Sequence, residues 1–468
     1  MIQLLERLRR TRVAGDTGLT LVEVIIALVI FSIITVGAIT SVGTVLVMTR
    51  DNRSREVATN LASQAIDAVR SEDDIFDLAN TTTTTPVGGA TYTVTQKVSW
   101  LTDTGVDSLC TSPATKGNGA LLYKHVNVTV TWSAQKSTTQ AVRADTIIAP
   151  SSKINDPATG TILIAVTGAT GLGTPNVTAS VDKDTTVAGN TAVTPKAEAQ
   201  PKVTNTDGCA VAVKVVPGTY AVTLGTAAGK NDVDPDQDPT PTKPVTVAAG
   251  DSTGVSFSYD AGDDFSMTYA NFASNYTGNA LVPTDLKTTV LSTGRQYTAS
   301  TPALDQFLYP SASGYTFLAG AFVPAGGTMA SCLSPDPESW PKTTTNKKGK
   351  RPTPVSADVT SKRAAAQVPM GVATINVKAG DTVIQATTTT AAGGDPGCAA
   401  GMTYNFTRVA GATTATIALP YGTWSIKSGS SSTSLSTVSI GSLIGSILGV
   451  LSPGASTSSV VTLDPRVN

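Results

Sequence analysis

Apolar and polar positions divide the chain into one long apolar segment near its start and many short alternating segments after it. Val24 to Met48 is a run of 25 residues without a charge. As a helix this run would extend about 38 Å, more than the ~30 Å hydrocarbon core of a bilayer. The pattern therefore predicts one membrane-spanning helix over residues 24–48.

Apolar residues continue at helical spacing beyond the membrane segment. Val57, Leu61, Ala65 and Val69 recur every fourth residue, and charged or polar residues occupy the other faces. This spacing is typical of an amphipathic helix. We predict one helix over residues 19–76, lying partly in the membrane and partly under a folded head. A coiled-coil stalk is the alternative, but it would need more heptads than this segment offers.

Period-two alternation replaces helical spacing in the next part of the chain. The threonine run before Pro86 is expected to be a loop. After it, Tyr92 to Trp100 and Val126 to Trp132 alternate apolar and polar residues, and Arg143 to Ala149 is predicted to be a third strand. Such alternation indicates half-buried strands, so residues 77–150 are predicted to form an antiparallel β head.

Short strand patterns separated by turn residues fill the rest of the chain. They predict a β-sandwich over residues 156–260 and a second β-rich domain over residues 263–468. VVPGTYAVTL (residues 215–224) is echoed by ALPYGTWSIK (residues 418–427), and a Gly-Cys pair precedes each. We interpret the two as divergent copies of one strand pair, the alternative being a coincidence between glycine-rich turns. The predicted fold class is α+β.

The composition of the chain is typical of exported proteins. Its 468 residues suggest about three domains, and charged residues make up only 14%, against ~25% in a typical globular protein. That balance favours exported β structure. The formal net charge of −1 argues against a nucleic-acid-binding surface over the whole molecule.

Four cysteines follow the apolar segment, on the side where disulfides persist. Four cysteines allow three connectivities. We prefer a bond between Cys332 and Cys398, which leaves Cys110 and Cys209 either to join the head to the middle domain or to stay reduced. No pair has CxxC spacing, so a zinc or redox site is not expected.

One acid, Glu23, lies at the start of the apolar run. An unpaired charge in a membrane segment is costly and indicates a function. The leader before it, residues 1–18, carries four arginines against Glu6 and Asp16, which by the positive-inside rule places this end in the cytoplasm. The chain is thus expected to be a single-pass cytoplasmic membrane protein with its C-terminal part outside.

The leader does not fit an ordinary secretory signal. Its apolar run is too long, and the small residue suited to cleavage, Gly18, precedes that run instead of following it. The order of charged leader, Gly18, Leu19 and Glu23 before a long apolar helix closely resembles the processing signal of type IV prepilins and type II secretion pseudopilins. Leu19 departs mildly from the commoner phenylalanine.

The resemblance implies a defined maturation. A membrane prepilin peptidase would cut after Gly18 and methylate the new amine of Leu19, which leaves Glu23 as the fifth mature residue. The carboxylate of Glu23 is tolerable in lipid if a neighbouring subunit offers a cation, and the amine of Leu19 is the nearest candidate. A plain signal anchor with a chance acid is the alternative.

The region from 206 to 224 resembles the prealbumin-like and collagen-adhesin B-type repeats of bacterial surface proteins, through motifs that are individually weak.

The sequence contains no motif that predicts a catalytic site. Gly250 to Gly254 matches G-x-S-x-G but lies between two strand patterns, where a hairpin turn is expected. The single histidine, His125, lies in the first strand-rich module, far from that serine. We therefore predict no enzymatic activity.

An aspartate series is the one candidate for a metal. Four carboxylates alternate in the NDVDPDQDP segment and resemble the start of a calcium loop, although the glycine and the closing glutamate of such a loop are missing. A solvated, proline-rich loop is the favoured interpretation, with calcium as the only cofactor to test. The residues are Asp232, Asp234, Asp236 and Asp238.

A cationic segment lies further along the chain. Its charges suit DNA or an anionic surface polymer, although most such runs are flexible solvated loops. The residues are Lys347, Lys348, Lys350 and Arg351, with Lys342, Lys362 and Arg363 nearby.

Together these features predict a type IV pilin-like structural subunit, minor or located at a filament tip. Its expected partners are the prepilin peptidase, other pilin subunits and the cytoplasmic membrane, and its assembled form would lie on the cell surface. The alternatives are a membrane-anchored surface adhesin or cell-wall-binding protein outside any filament, and an exported enzyme on a pilin stem. The sequence does not distinguish adhesion, motility, DNA uptake and secretion.

Overall fold

The computed structural model describes residues 20–72, 74–102, 107–108, 110, 121–133, 135, 140–149, 156–225, 229–269, 280–299, 302, 305–322, 336–344, 347–358, 360–397, 402–444 and 460–466. The chain forms two compact units. The first comprises residues 1–101 and 122–151, and the second comprises residues 102–121 and 152–468. One long helix followed by mostly antiparallel sheets confirms the α+β prediction.

The first unit begins with α1 (Leu21–Arg70), a helix of 50 residues. At 1.5 Å per residue it extends about 75 Å. It is continuous through Gly37 and Gly43, and it ends before the predicted residue 76. The Ser71 hydroxyl bonds to Ala68 O at 2.8 Å and its N–H to Asp67 O at 3.1 Å. These bonds satisfy the last carbonyls and stop the helix.

A sheet in the order β1-β2-β4-β5 completes the first unit. The β1–β2 and β4–β5 pairs are antiparallel. The three strands predicted from the sequence correspond to β2, β4 and β5. The strand bounds are β1 (Thr81–Val87), β2 (Ala90–Thr102) and, after the short β3 (Asp107–Ser108) in the second unit, β4 (Leu121–Trp132) and β5 (Val142–Ile148).

The threonine run is a strand, so the loop prediction was wrong. Thr81 to Thr85 form most of β1, and Thr81 pairs with Gln96 while Thr85 pairs with Tyr92. β-branched side chains favour strands, and Pro86 is tolerated because β1 lies at the sheet edge.

The second half of α1 supplies the helical side of the first core. Four residues at helical spacing are buried there, whereas the first half of the helix is exposed. The alternating apolar residues of β2 and β4 form the sheet side, as their period of two requires. The buried helix residues are Ala58, Ala62, Ile66 and Val69.

The second unit contains two hydrophobic clusters. The first draws on both three-stranded sheets of residues 160–258, in the orders β11-β9-β7 and β12-β6-β8. Its β6 and β12 are parallel, an exception among the mostly antiparallel pairs. The strands of this region are β6 (Gly160–Thr167), β7 (Thr178–Lys183), β8 (Cys209–Val215), β9 (Gly218–Gly225), β10 (Asp232–Val233), β11 (Thr242–Val247), β12 (Ser252–Ser258) and β13 (Asp260–Ala261).

The second cluster joins residues from Phe265 to Leu463. Its sheets have the orders β17-β14-β19, β16-β15-β18, β23-β20-β26 and β22-β21-β24-β25, and β27 pairs with β24. The strands are β14 (Asp263–Tyr269), β15 (Thr288–Ser292), β16 (Arg295–Ala299), β17 (Asp305–Leu308), β18 (Thr316–Ala319), β19 (Arg363–Val368), β20 (Gly371–Asn376), β21 (Val383–Thr388), β22 (Thr403–Thr407), β23 (Thr414–Leu419), β24 (Gly422–Gly429), β25 (Leu435–Thr437), β26 (Ser439–Ile444) and β27 (Val460–Leu463).

The two echoed sequence segments form the same kind of corner. Strand β8 pairs with β6, but the following β9 pairs with β7 and β11 in the other sheet. Likewise β23 pairs with β20, and the following β24 pairs with β21. In each corner a fully buried aromatic side chain bonds to the carbonyl four residues before it. Tyr220 OH donates to Val216 O at 2.6 Å, and Trp424 Nε1 donates to Pro420 O at 2.8 Å.

The turn over Gly250 to Gly254 does not close a hairpin, contrary to prediction. β11 pairs with β9, whereas β12 pairs with β6 in the opposite sheet. Gly250 has a φ of 73°, and Ser252 is fully buried at the start of β12. A buried serine inside a strand does not match an exposed nucleophile elbow.

Within the second unit a disulfide joins Cys110 to Cys209, with 5.8 Å between their Cα atoms. Bonding of this pair was one of the two expected outcomes. It leaves Cys332 and Cys398 with no other partner in the chain than each other. Both lie outside the described residues, so their bond stays a prediction.

Candidate functional site

The amino-terminal turn of α1 holds the acid that the sequence singles out. Thr20 is the N-cap, with extended backbone angles. Its N–H donates to Glu23 Oε2 at 3.0 Å, and Glu23 N–H donates to Thr20 Oγ1 at 3.4 Å. This reciprocal pair is a capping box, which satisfies two backbone donors at the helix start.

Sequence reasoning missed Thr20. The signal was present, because Thr20-Leu21-Val22-Glu23 has the T-x-x-E spacing of a capping box. Glu23 therefore has a local structural role besides the one inferred from its charge. Its carboxylate makes no ion pair among the described residues, and it accepts hydrogen bonds from the N–H and the hydroxyl of Thr20.

The helix after Glu23 exposes apolar side chains on every side. It is the one described helix long and apolar enough to cross a membrane, and none of its most apolar stretch is buried against the rest of the protein. The exposed fractions of Phe31, Ile33 and Ile39 lie between 66% and 67%. Lipid or other apolar helices must cover such a surface.

Hydroxyl side chains in this segment bond to their own helix. Ser32 Oγ donates to Leu28 O at 2.7 Å, and Thr35 Oγ1 donates to Phe31 O at 2.7 Å. Thr40, Thr44 and Thr49 make the same bond to the carbonyl four residues back. Because each donor is satisfied inside the helix, these residues do not impose the cost of unpaired polar groups in lipid.

The predicted processing residues, Gly18 and Leu19, lie outside the described residues. Thr20 is the first described residue and adopts an extended conformation, with φ −69° and ψ 149°. The helix therefore begins two residues after the peptide bond that the sequence marks for cleavage.

The aspartate series does not form a shared carboxylate cluster. Asp234 Oδ1 accepts the N–H groups of Asp236 and Asp238, both at 2.8 Å, which fixes a tight turn. Asp236 pairs with Arg295, and Asp232 is buried in β10. Among the described residues no three His, Cys, Asp or Glu side chains are placed to hold a metal ion.

This aspartate loop instead contacts the neighbouring β region of the same unit. Tyr297 OH donates to Pro235 O, and Gln237 Oε1 accepts the Tyr309 N–H at 2.9 Å. Gln237 has a φ of 65°, so its backbone is held in the left-handed region. The loop therefore makes hydrogen bonds to this region, while Asp236 and Asp238 stay exposed to solvent.

The cationic segment divides into free and paired charges. Lys347, Lys348 and Lys350 are exposed. Arg351 is not free, because its guanidinium donates two bonds to the carboxylate of Asp336, at 3.0 and 2.7 Å. These bonds raise the pKa of Arg351.

A polar group that the sequence did not indicate lies on β4 and β5. Asp145 accepts bonds from Arg143 Nε at 2.9 Å and Asn127 Nδ2 at 2.9 Å, and His125 Nε2 lies 3.2 Å away. The bonds from Arg143 and Asn127 lower the pKa of Asp145 to about 2. The side chains of this group are partly exposed on the sheet surface.

Comparison with protein families identifies the helix start. Residues 14–39 match the prokaryotic N-terminal methylation motif. This segment is a prepilin-type signal. The match covers Gly18, Leu19 and Glu23, and it extends into the membrane-spanning half of α1, so the chain has a pilin-type, membrane-anchoring amino terminus.

Comparisons of the whole chain add no function to the prepilin-type signal. No curated protein matches the sequence. Among solved structures, the Bacillus anthracis TIE protein is 13% identical, covering 79% of this chain and 73% of its own, with a TM-score of 0.19. The streptococcal ancillary pilin is 10% identical, covering 52% and 75%, also with a TM-score of 0.19. Neither likeness carries an argument about this chain.

Proposed function

We propose that the chain is a type IV pilin-like subunit, cleaved after Gly18, methylated on Leu19 and assembled into a pilus or pseudopilus. The observation that carries the proposal is Glu23. It is a carboxylate without an ion pair among the described residues, it lies at the start of a helix whose most apolar stretch is exposed, and it falls inside a methylation motif. A helix with this surface requires apolar neighbours, and its acid requires a cation.

The amine of Leu19 in an adjacent subunit is the cation that fits. Cleavage after Gly18 creates it four residues from Glu23 on the same chain. Two side-by-side helices offset along their axes would then place the amine of one beside the acid of the other. In a low-dielectric environment such a pair is strongly favoured over an isolated carboxylate.

A minor or tip position suits the size of the exported part. Residues 102–121 and 152–468 form a compact unit of their own, in addition to the pilin-sized first unit. A major subunit must pack against copies of itself along the whole filament, and a unit of this size on every copy would crowd that lattice. A subunit used rarely, or only at the tip, faces no such constraint.

The structure allows the charge of Glu23 to be separated from its capping role. Glu23→Gln removes the charge but keeps a side chain that serves in a capping box. Thr20→Ala breaks the box but keeps the acid. If the charge pairs with a neighbouring amine, Glu23→Gln should be processed normally yet be at least tenfold depleted from sheared filaments, whereas Thr20→Ala should be incorporated. Immunoblots of filament and membrane fractions measure both.

Two outcomes would contradict the pairing. Normal incorporation of Glu23→Gln would show that the charge is dispensable. Equal depletion of both variants from the filaments would show that the defect arises from the helix start and not from the missing charge. The expected result is that Glu23→Gln alone is depleted from the filaments while its amount in the membrane fraction is unchanged.

Processing is tested independently of assembly. The mature protein should begin at N-methylated Leu19 in cells with the prepilin peptidase, and at Met1 in cells without it, as measured by mass spectrometry of the terminal peptide. A chain that keeps its first residues in the presence of the peptidase would favour a surface adhesin that uses α1 only as an anchor.

A further inference from the structure

The second unit has two hydrophobic clusters that one short segment of chain joins. The buried residues of the middle cluster lie between Ile162 and Tyr259, and those of the C-terminal cluster lie between Phe265 and Leu463. The chain passes from one cluster to the other through residues 260–264. Neighbouring domains on such a link move relative to each other unless a large apolar interface holds them. Contacts outside the link therefore decide whether the two clusters move together.

The aspartate loop, residues 234–239, adjoins this link. It follows β10, which pairs with β13 in the link, and it precedes β11 of the middle sheet. Asp234 closes the loop, because its N–H donates to Asp238 O at 3.1 Å and its carbonyl accepts the Gln237 N–H at 2.9 Å. These local bonds fix a turn in which Gln237 has a φ of 65°.

The middle cluster anchors the end of the aspartate loop. Tyr259 is fully buried in that cluster, and its hydroxyl donates to Pro239 O at 2.7 Å. The chain then enters β11, whose Val245 and Val247 are buried in the same cluster. A buried hydroxyl without a partner is costly, so the Tyr259 bond holds Pro239 in place.

The C-terminal cluster holds the middle of the same loop. Gln237 Oε1 accepts the Tyr309 N–H at 2.9 Å, and Gln237 Nε2 donates to the hydroxyl of Tyr315 at 3.4 Å. Tyr315 is buried in the C-terminal cluster, and Tyr297 packs against it. The Tyr297 hydroxyl donates to Pro235 O. Tyrosines of both clusters thus bond to one loop.

We propose that the aspartate loop is a clamp that holds the two clusters of the second unit in one fixed orientation. The bonds of Gln237 and Tyr297 carry it, since the exposed ion pair of Arg295 with Asp236 contributes little. Because the loop is closed by its own bonds, little conformational entropy is lost when it docks on the C-terminal cluster. The outer unit then presents its surface in one orientation.

The test measures a distance between the two clusters in the full-length protein in a neutral detergent. Spin labels are attached to a genetically encoded ketone amino acid at two exposed positions, Lys183 in β7 and Lys427 in β24. This chemistry leaves the cysteines unmodified. Pulsed electron double resonance reports the distribution of label distances, which should be narrow in the otherwise unaltered protein.

The clamp variant combines Gln237→Gly and Tyr297→Phe. Glycine adopts a φ of 65° without strain, so the turn is kept while the side-chain bonds are lost. Phenylalanine keeps the ring of Tyr297 and removes its hydroxyl. The distance distribution should become at least twice as wide, because only the link then restrains the clusters.

A matched control removes similar bonds inside the middle region. Gln200 accepts the Val181 N–H at 2.9 Å and donates to Val181 O at 3.0 Å, and the Tyr220 hydroxyl donates to Val216 O at 2.6 Å. The double variant Gln200→Ala and Tyr220→Phe should lower stability but keep the distribution narrow.

Three results would overturn the clamp. They are a wide distribution in the unaltered protein, an unchanged width in the clamp variant, and equal widening in the control. If the circular dichroism of the clamp variant shows that it is unfolded, each single variant is measured alone, and neither widening the distribution would be equally decisive. The measurement requires no filament, so its failure leaves the proposed assembly role untouched.

Discussion

Three neighbouring aspartates in the second unit show how burial sets the properties of a single residue. Asp232 is 4% exposed and Asp263 is 9% exposed. Burial raises the pKa of both, and Asp260 raises them further, while Lys362 acts in the opposite direction on each. The sequence places Asp232 in a series of four similar acids, but only the fold distinguishes it as buried.

The buried acids predict a pH dependence of stability. A raised folded-state pKa gives a stabilising contribution that is complete below the unfolded value near 4 and is lost as pH rises through the folded value. Asp232→Asn removes the charge that causes this loss. The variant should therefore be more stable than the unaltered protein at pH 7, and the difference should shrink toward pH 4.

Urea denaturation between pH 4 and pH 7 measures this effect. Asp182→Asn, on the exposed surface of β7, is the control and should follow the unaltered protein at every pH. A variant at position 232 that is less stable at pH 7 would mean that the carboxylate is stabilised by its surroundings.

At the scale of elements, the corners before β9 and β24 explain why two distant segments look alike. Each takes the chain from one sheet to the other through a glycine with an unusual φ, 156° at Gly218 and 150° at Gly422. A Cβ on Gly218 would come within 2.4 Å of Ala192 N. The G-T-aromatic pattern therefore encodes a local geometry, which supports the interpretation of a repeat.

The corner hydrogen bond gives a testable energy. Tyr220→Phe keeps the buried ring but removes the hydroxyl that donates to Val216 O. We expect the free energy of unfolding to fall by about 1 kcal/mol. Tyr123→Phe, at an exposed tyrosine of β4, should have no measurable effect. Equal stability of Tyr220→Phe and the unaltered protein would show that the hydroxyl bond is incidental.

At the scale of the whole molecule, the disulfide between Cys110 and Cys209 closes a long covalent loop. Cys110 and Cys209 are 99 residues apart in sequence. Cross-links over such distances restrict the unfolded chain strongly, by about 4–5 kcal/mol in the chain-entropy model. The bond also requires an oxidising compartment, which agrees with exported placement of this part of the chain.

Loss of this bond should lower stability markedly. The double variant Cys110→Ser and Cys209→Ser is expected to unfold at a lower urea concentration, with a loss of about 2–5 kcal/mol in the free energy of unfolding. The double variant Cys332→Ser and Cys398→Ser tests the second, predicted bond in parallel. Non-reducing peptide mapping should recover Cys110 linked to Cys209, and recovery of either residue in another pairing would contradict the structure.

The sequence by itself determined the features that depend on neighbouring residues. The membrane helix follows from an uninterrupted apolar run, the strands from alternation, and the prepilin-type signal from the order of Gly18, Leu19 and Glu23. Each is set by residues within one element, so its pattern is visible without the fold. The capping box of Thr20 and Glu23 was equally local, and it was overlooked in the sequence although its signal was present.

Only the tertiary structure decided how residues of the same type differ in burial and in ion pairing. It paired Arg351 with Asp336 and left three nearby lysines exposed. It also buried Asp232 while exposing Asp236, and it placed β12 in the sheet opposite β11. Burial, ion pairing and sheet membership depend on which distant segments meet when the core closes. The packing of these segments minimises the exposed apolar surface of the whole unit, so a local sequence pattern does not predict it.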